Sequence, residues 1–386
     1  MATRTEAGCT APPPDVLRLT QTLVACNTMP ENGNEAACLE AAAHTLRAAG
    51  FLVTLDRFDA THANLYARLL DAPESPGLCL AGHIDTVTAR AAGWRTPPLQ
   101  ADERQGRLYG RGSCDMKGGV AALLCAAAAM RPRLRPGQDL RVHLYGGEEV
   151  GCLGSRHMAE RRPEELAGVG AAIVAEPTAL LPSVGHRGAL WLRVTASGNA
   201  AHASMPQLGD NALTRLLPVA ARIQAYDAGR WRHPQMGPAT LTLTTLHAGS
   251  GCNMVPDAAG LTVDIRTVPG QDQDAVLADI RDLAGEACRV EVLTRVPSLW
   301  TPPDLPWVRR VARLAHGAAG QTPAPVTSQF FTDGASLRLA KPELPIIILG
   351  PGEQGVAHQT NEWCAVPQLC RAVDVYMAIL ADWYGV

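Results

Sequence analysis

Aromatic side chains make up only 4% of the 386 residues, and charged ones 18%. No stretch reaches the ~18 consecutive apolar residues of a membrane-spanning helix, so no membrane partner is expected. Basic residues do not outnumber acidic ones (34 against 37, net charge −3), which excludes the electrostatic footprint of a nucleic-acid binder. Residues 1–14 contain Arg4 but no apolar core, so they do not read as a secretory signal, and the expected compartment is the cytoplasm. The eleven cysteines are scattered, odd in number and without a CxxC pair, which points to reduced thiols. Of these, Cys114 stands beside a chemically suggestive acid and is expected to be the least inert. Also missing are GxxxxGK[ST], GxSxG and HExxH, and Gly110-x-Gly112 has no third glycine at 115. Phosphate-loop, dinucleotide, serine-hydrolase and single-zinc protease chemistries therefore lose their usual signatures.

What the chain does have is an apolar fraction of 47% with alanine runs such as 121–130, suited to helices packed closely on a sheet. Its length suggests two domains. Apolar residues recur at helical spacing over 15–49, broken by a turn at 30–33, and alternate as paired strands over 51–58 and 63–69. Short buried-strand patterns at 77–81, 140–145 and 171–175 each run into a polar loop, and 115–130 reads as a helix after a glycine-rich turn. That order predicts an α/β domain with a mostly parallel sheet. Between them and the C-terminal part, strands at 189–196, 239–246, 261–267 and 289–294 alternate with helices at 211–226 and 274–287. This βαββαβ order is the ferredoxin-like α+β unit. The predicted division is residues 1–186 and 296–386 for a discontinuous α/β domain, and 187–295 for an insertion. The first pattern returns with a helix at 306–317, a strand at 346–349 and a helix at 366–384; Pro-rich turns such as 322–325 are the only biased tracts.

Ligands of open α/β sheets collect beyond the carboxyl ends of the strands. His83 and Asp85, Glu148 and Glu149, Glu176 and His358 all follow such strands, and Asp115 ends a glycine-rich loop. Each has a plain alternative: a surface histidine, a helix N-cap at Asp115, a solvated Glu pair. Together they are harder to dismiss, because three carboxylates and two imidazoles at one sheet edge would repel or stay unsatisfied without a cation. Two Zn²⁺ ions with mixed nitrogen and oxygen ligands would neutralise them, and a shared aspartate can bridge ions about 3.5–4 Å apart. Co²⁺ or Mn²⁺ would suit the same donors.

The segments Gly82-His83-Ile84-Asp85-Thr86-Val87, Gly110-Arg111-Gly112-Ser113-Cys114-Asp115-Met116-Lys117-Gly118-Gly119, Gly147-Glu148-Glu149-Val150-Gly151, Glu176-Pro177-Thr178 and Ala357-His358-Gln359-Thr360-Asn361-Glu362 carry a resemblance. The chain is similar, over nearly its whole length, to the acetylornithine deacetylase, succinyl-diaminopimelate desuccinylase and carboxypeptidase G family of two-zinc hydrolases. The resemblance implies that His83 and Glu176 bind one zinc, Glu149 and His358 the other, and that Asp115 bridges them. It implies Asp85 as the residue orienting His83 and Glu148 as the general base. In the insertion, Ala200-Ala201-His202-Ala203-Ser204, Asn253-Met254-Val255-Pro256 and Asp264-Ile265-Arg266-Thr267 resemble lid motifs of the family. His202 would then reach the partner subunit's site, Arg266 and Asn253 would grip a substrate carboxylate, and the lid would join a homodimer.

Within that family, Glu176 stands where dipeptidase and aminopeptidase relatives commonly have Asp, which favours hydrolysis of an N-acyl-amino acid. Gly185-His186-Arg187-Gly188-Ala189 resembles the desuccinylase pattern but carries Ala189 where Ser is expected, a departure that bears on succinyl specificity. The segment 331–334 fits the substrate-loop region. A carboxypeptidase G- or dipeptidase-like enzyme acting on a short peptide is the alternative. An inactive binding protein on the same scaffold is disfavoured, since a binder needs no Glu148.

Overall fold

The strand Gly77–His83 is buried along its whole length and lies parallel to Leu140–Tyr145 on one side and to Val169–Val174 on the other. Covered on both faces, such strands must read as continuous apolar runs, as these three do. The computed structural model describes residues 15–31, 33–70, 75–90, 92–316 and 324–386. Cys9 and the rest of 1–14, the end of the 306–317 helix expectation and part of the 322–325 turn lie outside the described residues.

The chain divides into two compact units: Met1–Gly185 with Thr301–Ser328 and Thr332–Val386, and His186–Trp300 with Gln329–Phe331. In the first, Ile346–Ile348 adds a further parallel strand beside Val169–Val174. The edges run the other way. Leu52–Arg57 and Ala63–Arg68 pair antiparallel with each other, the second pairs antiparallel with Leu140–Tyr145, and Ser183–His186 pairs antiparallel with Ile346–Ile348. The sheet is thus mixed, not mostly parallel. The link from Arg57 to Ala63 is too short for a crossover helix, so that edge can only be a hairpin.

Helix Lys117–Met130 packs on Gly77–His83 and on helices Val16–Ala25 and Val366–Tyr384. Its alanines and two leading glycines allow a close approach: a Cβ at Gly119 would collide with the carbonyl of Ala175. The helix starts at Lys117, not at residue 115, and its N-cap is Met116. The Asp115 carboxylate is therefore not spent on capping. Helix Leu153–Arg161, helix Gly334–Ala340 and a three-stranded sheet of Asp102–Arg104, Arg107–Tyr109 and Trp363–Ala365 add to the elements expected from the sequence.

The second unit is a four-stranded antiparallel sheet in the order Thr240–Ala248, Ala258–Thr267, Gly188–Ser197, Arg289–Val296. Leu190, Leu192 and Val194 alternate with Trp191 and Arg193, and only the first set joins Leu216, Ile223, Val276 and Ile280 from helices Ala212–Gln224 and Gln273–Ala284 in its core. This is the period-two pattern of a sheet buried on one face. Among the described residues no helix is long and apolar enough to cross a membrane.

Candidate metal centre

The first unit brings together five of the sequence-derived site residues. His83, Asp115 and Glu176 form one group of ligand atoms, and Asp115, Glu149 and His358 another, each within 4.8 Å. Asp115 belongs to both. Its Oδ1 lies 3.2 Å from His83 Nε2, and its Oδ2 lies 3.2 Å from His358 Nε2. Glu176 Oε2 is 3.8 Å from His83 Nε2, and Glu149 Oε1 is 3.0 Å from His358 Nε2.

The backbone explains the convergence. His83 is the last residue of its strand, and pairing continues beyond it through Ile84 N–H to Tyr145 O and Ala175 N–H to Ala81 O. Glu148-Glu149 and Glu176 are thereby carried to the same edge. The turn at 146–149 is clamped by two buried carboxylates. Glu35 accepts from Gly147 N–H at 3.0 Å, while Asp85 accepts from Glu148 N–H and Glu149 N–H, both at 3.0 Å. Gly147 has φ +69°, a left-handed conformation that glycine adopts without cost. The Asp85 carboxylate thus serves the turn. The nearest acceptor for His83 Nδ1 is the Asp85 backbone carbonyl at 3.1 Å, with the carboxylate at 3.5 Å.

Electrostatics at the cluster favour added positive charge. Burial alone would push the His83 imidazole down, but Glu176, Asp115 and Asp85 hold it well above its ordinary value. Hydrogen bonds to Asp115 and Glu149 raise His358 to about 10. Burial opposes ionisation of Asp115, yet bonds from His358 and His83 hold it well below the usual carboxylate range. Burial raises Glu176 to about 8 despite His83, and raises Glu149 despite His358. Two imidazoles and three carboxylates, gathered in groups whose ligand atoms lie within 4.8 Å of one another, make a donor set suited to divalent cations.

Glu148 belongs to neither group. It is 5% exposed, its carboxyl is pushed up by burial, and Cys152 Sγ lies 3.6 Å from its Oε1. Asp333, part of the 331–334 segment but given no role of its own from the sequence, is fully buried, and burial raises its carboxyl to about 7. Thr332 is fully buried beside it. Cys114 is a correction: burial pushes its thiol well above the ordinary range, which disfavours the reactive thiolate. All ten described cysteines are free.

The remaining three sequence-derived residues lie in the second unit. His202 and Asn253 are exposed on neighbouring loops joined by Ala203 N–H to Asn253 O at 2.9 Å and by a bridge between His202 and Met254. The Ser204 N–H donates to His202 Nδ1 at 3.1 Å, which leaves Nε2 to carry a proton in the neutral ring. Arg266 pairs with Asp264 at 2.8 Å, over the Trp191 ring, and stands directly across from Ala189.

Two carboxylate–imidazole groups that share an aspartate at the edge of a mixed sheet suit a pair of divalent cations, and the relatives of this chain place it among metal-dependent hydrolases that act on amides. The chain belongs to peptidase family M20/M25/M40, whose sequence profile matches residues 79–382. It is 31% identical to a succinyl-diaminopimelate desuccinylase of Rhodospirillum centenum, over 96% of this chain and 98% of that one. Its fold is similar to an M20 family metallo-carboxypeptidase of Sulfolobus solfataricus (TM-score 0.82, 16% identity, 97% of this chain and 100% of that one). It is also similar in fold to a dinuclear metal-binding M20 peptidase of Bacillus subtilis (TM-score 0.69, 14% identity, 96% and 98% covered).

Proposed function

We propose that the protein hydrolyses the amide bond of an N-acyl-amino acid, in the manner of acetylornithine deacetylases and succinyl-diaminopimelate desuccinylases. The observation that carries the reading is the shared Asp115 between two histidine–carboxylate groups with a fourth acid, Glu148, that belongs to neither group and is buried beside them. Near full-length likeness to a protein named as a desuccinylase supports the substrate class.

His83, Asp115 and Glu176 would hold one divalent cation and Asp115, Glu149 and His358 the other, zinc in the first instance with cobalt or manganese as substitutes. Bound there, the cations would supply Lewis acidity and lower the pKa of a water toward neutrality. Glu148, kept out of bulk water, accepts the proton of the attacking water and delivers it to the leaving nitrogen. Asp85 and Glu35 hold the turn that aims Glu148. His202 would reach the partner subunit's site and donate there to the oxygen on which negative charge develops, and Arg266 and Asn253 would hold a substrate carboxylate. In this reading residues 187–295 act as a lid that joins a homodimer, and the enzyme works in the cytoplasm on small molecules.

Turnover on N-succinyl-diaminopimelate, N-acetylornithine and a C-terminal glutamate amide, with protein of measured metal content, tests the claim. Preference for either N-acyl substrate supports it. Preference for the glutamate amide favours the carboxypeptidase G-like alternative, and inactivity on all three with both ions bound sinks the substrate class. Ala189, opposite Arg266, is the position at which succinyl preference would show most directly.

A further inference from the structure

His358 has no strand to hold it. It lies in an irregular loop between Ile346–Ile348 and Trp363–Ala365, its side chain is 52% exposed, and its φ of +64° is left-handed, an uncommon and costly state for a histidine. Such a conformation persists only when neighbours over-determine it. The imidazole bonds to Glu149 and Asp115, and on the backbone side the His358 carbonyl meets one member of a buried ion pair. Glu362 is fully buried, and its Oε1 accepts from Cys114 N–H and Asp115 N–H, both at 2.9 Å. Its Oε2 accepts from Gly112 N–H at 3.1 Å and from Arg111 Nη1 at 2.5 Å. The other arm of the same guanidinium, Nη2, donates to the His358 carbonyl at 3.3 Å. The Glu362 carbonyl in turn accepts from Gly110 N–H at 3.0 Å. One carboxylate and one guanidinium thus tie the loop that presents Asp115 to the loop that presents His358, although about 250 residues separate them in the chain.

We infer that Arg111 and Glu362 are positioning residues that set the distance between Asp115 and His358, and so tune occupancy of the cation position formed by Asp115, Glu149 and His358 more than that formed by His83, Asp115 and Glu176. The inference rests on the metal reading above. It follows from an asymmetry of support: His83 and Glu176 stand at strand ends, whereas His358 depends on this pair. The chemistry of each member is specific. Both Glu362 oxygens are surrounded by donors, so glutamine would turn one amide N–H₂ against backbone N–H groups. Lysine at 111 keeps the charge but cannot reach Oε2 and the His358 carbonyl at once.

Co²⁺ titrated calorimetrically into the chelator-treated full chain, with visible absorption and apo-protein thermal unfolding in parallel, reads the two affinities separately. Wild type should take up two equivalents. Glu362→Gln and Arg111→Lys should weaken the second by ~10–100-fold, the range found for groups that orient ligands, and the first by less, since only Asp115 is shared. Unchanged affinities in both variants would overturn the inference. A parallel loss of both affinities together with apo stability would also overturn it, by showing a merely structural pair. Wild type that takes up no Co²⁺ overturns the metal reading itself, and with it this inference, before any variant is compared.

Discussion

His83 and His358 each approach Asp115 to 3.2 Å, yet one is 1% exposed and the other 52%. The difference lies in what holds them. His83 ends a strand flanked by two parallel neighbours, so the sheet's hydrogen bonds fix its backbone, and Asp85 meets its second nitrogen through a carbonyl. His358 sits on a loop whose anchors near the site are side chains, the guanidinium of Arg111 above all. A ligand on regular structure inherits its position from the fold, while a ligand on a loop needs dedicated partners.

Four experiments probe that contrast, from the largest effect to the smallest. Glu148→Gln removes the acid that belongs to neither histidine group. We expect kcat to fall by at least ~10²–10⁴ with metal content by mass spectrometry unchanged; turnover like wild type would remove Glu148 from its role. His202→Ala tests an exposed histidine held only by its own loop. A fall in kcat of ~10²–10³ with the metal count intact is expected, the cost of one oxyanion donor, and loss of zinc instead would show that the residue is a ligand. Asp85→Asn replaces one of the oxygens that clamp Glu148 N–H and Glu149 N–H. Activity should drop ~10–100-fold with KM little changed, and an unaffected kcat would mean that Glu35 alone holds the turn.

The smallest effect concerns stability. Burial, aided by Arg141, lowers the His143 imidazole to about 3, against roughly 6.5 in an unfolded chain. Below pH 6.5 the unfolded chain takes up a proton that the folded one refuses, so this residue's contribution is present above pH 6.5 and is lost as pH falls toward 3. Between pH 6.5 and 5 the loss is at most about 2 kcal/mol, at 1.36 kcal/mol per unit. Urea unfolding at both pH values should show a flatter dependence in His143→Gln; an identical slope would place the acid sensitivity elsewhere.

Much of the site is legible in the chain's local patterns. His83, Glu149 and Glu176 follow apolar runs short enough to be buried strands, and strand ends are where sheet ligands gather. Asp115 and His358 stand in loop motifs instead. The partners that hold them leave no such signal. Glu362 lies inside a motif without a role of its own, because its partners are mainly backbone N–H groups far away in the chain, and backbone donors leave no mark on sequence. Glu35 is hidden for the same reason. The mixed sheet departs from the parallel expectation because strand patterns reveal burial but not direction, and only the short link at 58–62 hints at an antiparallel edge.

By itself the sequence determined which segments are buried strands, which helices are alanine-rich enough to pack closely, and which acids and histidines stand at strand ends, since burial and periodicity are local properties. Tertiary structure alone decided that Asp85 and Glu35 serve the turn beneath Glu148, and that a buried Arg111–Glu362 pair joins two loops. Those facts depend on distances between residues remote in the chain, and such distances exist only after folding has brought the loops together.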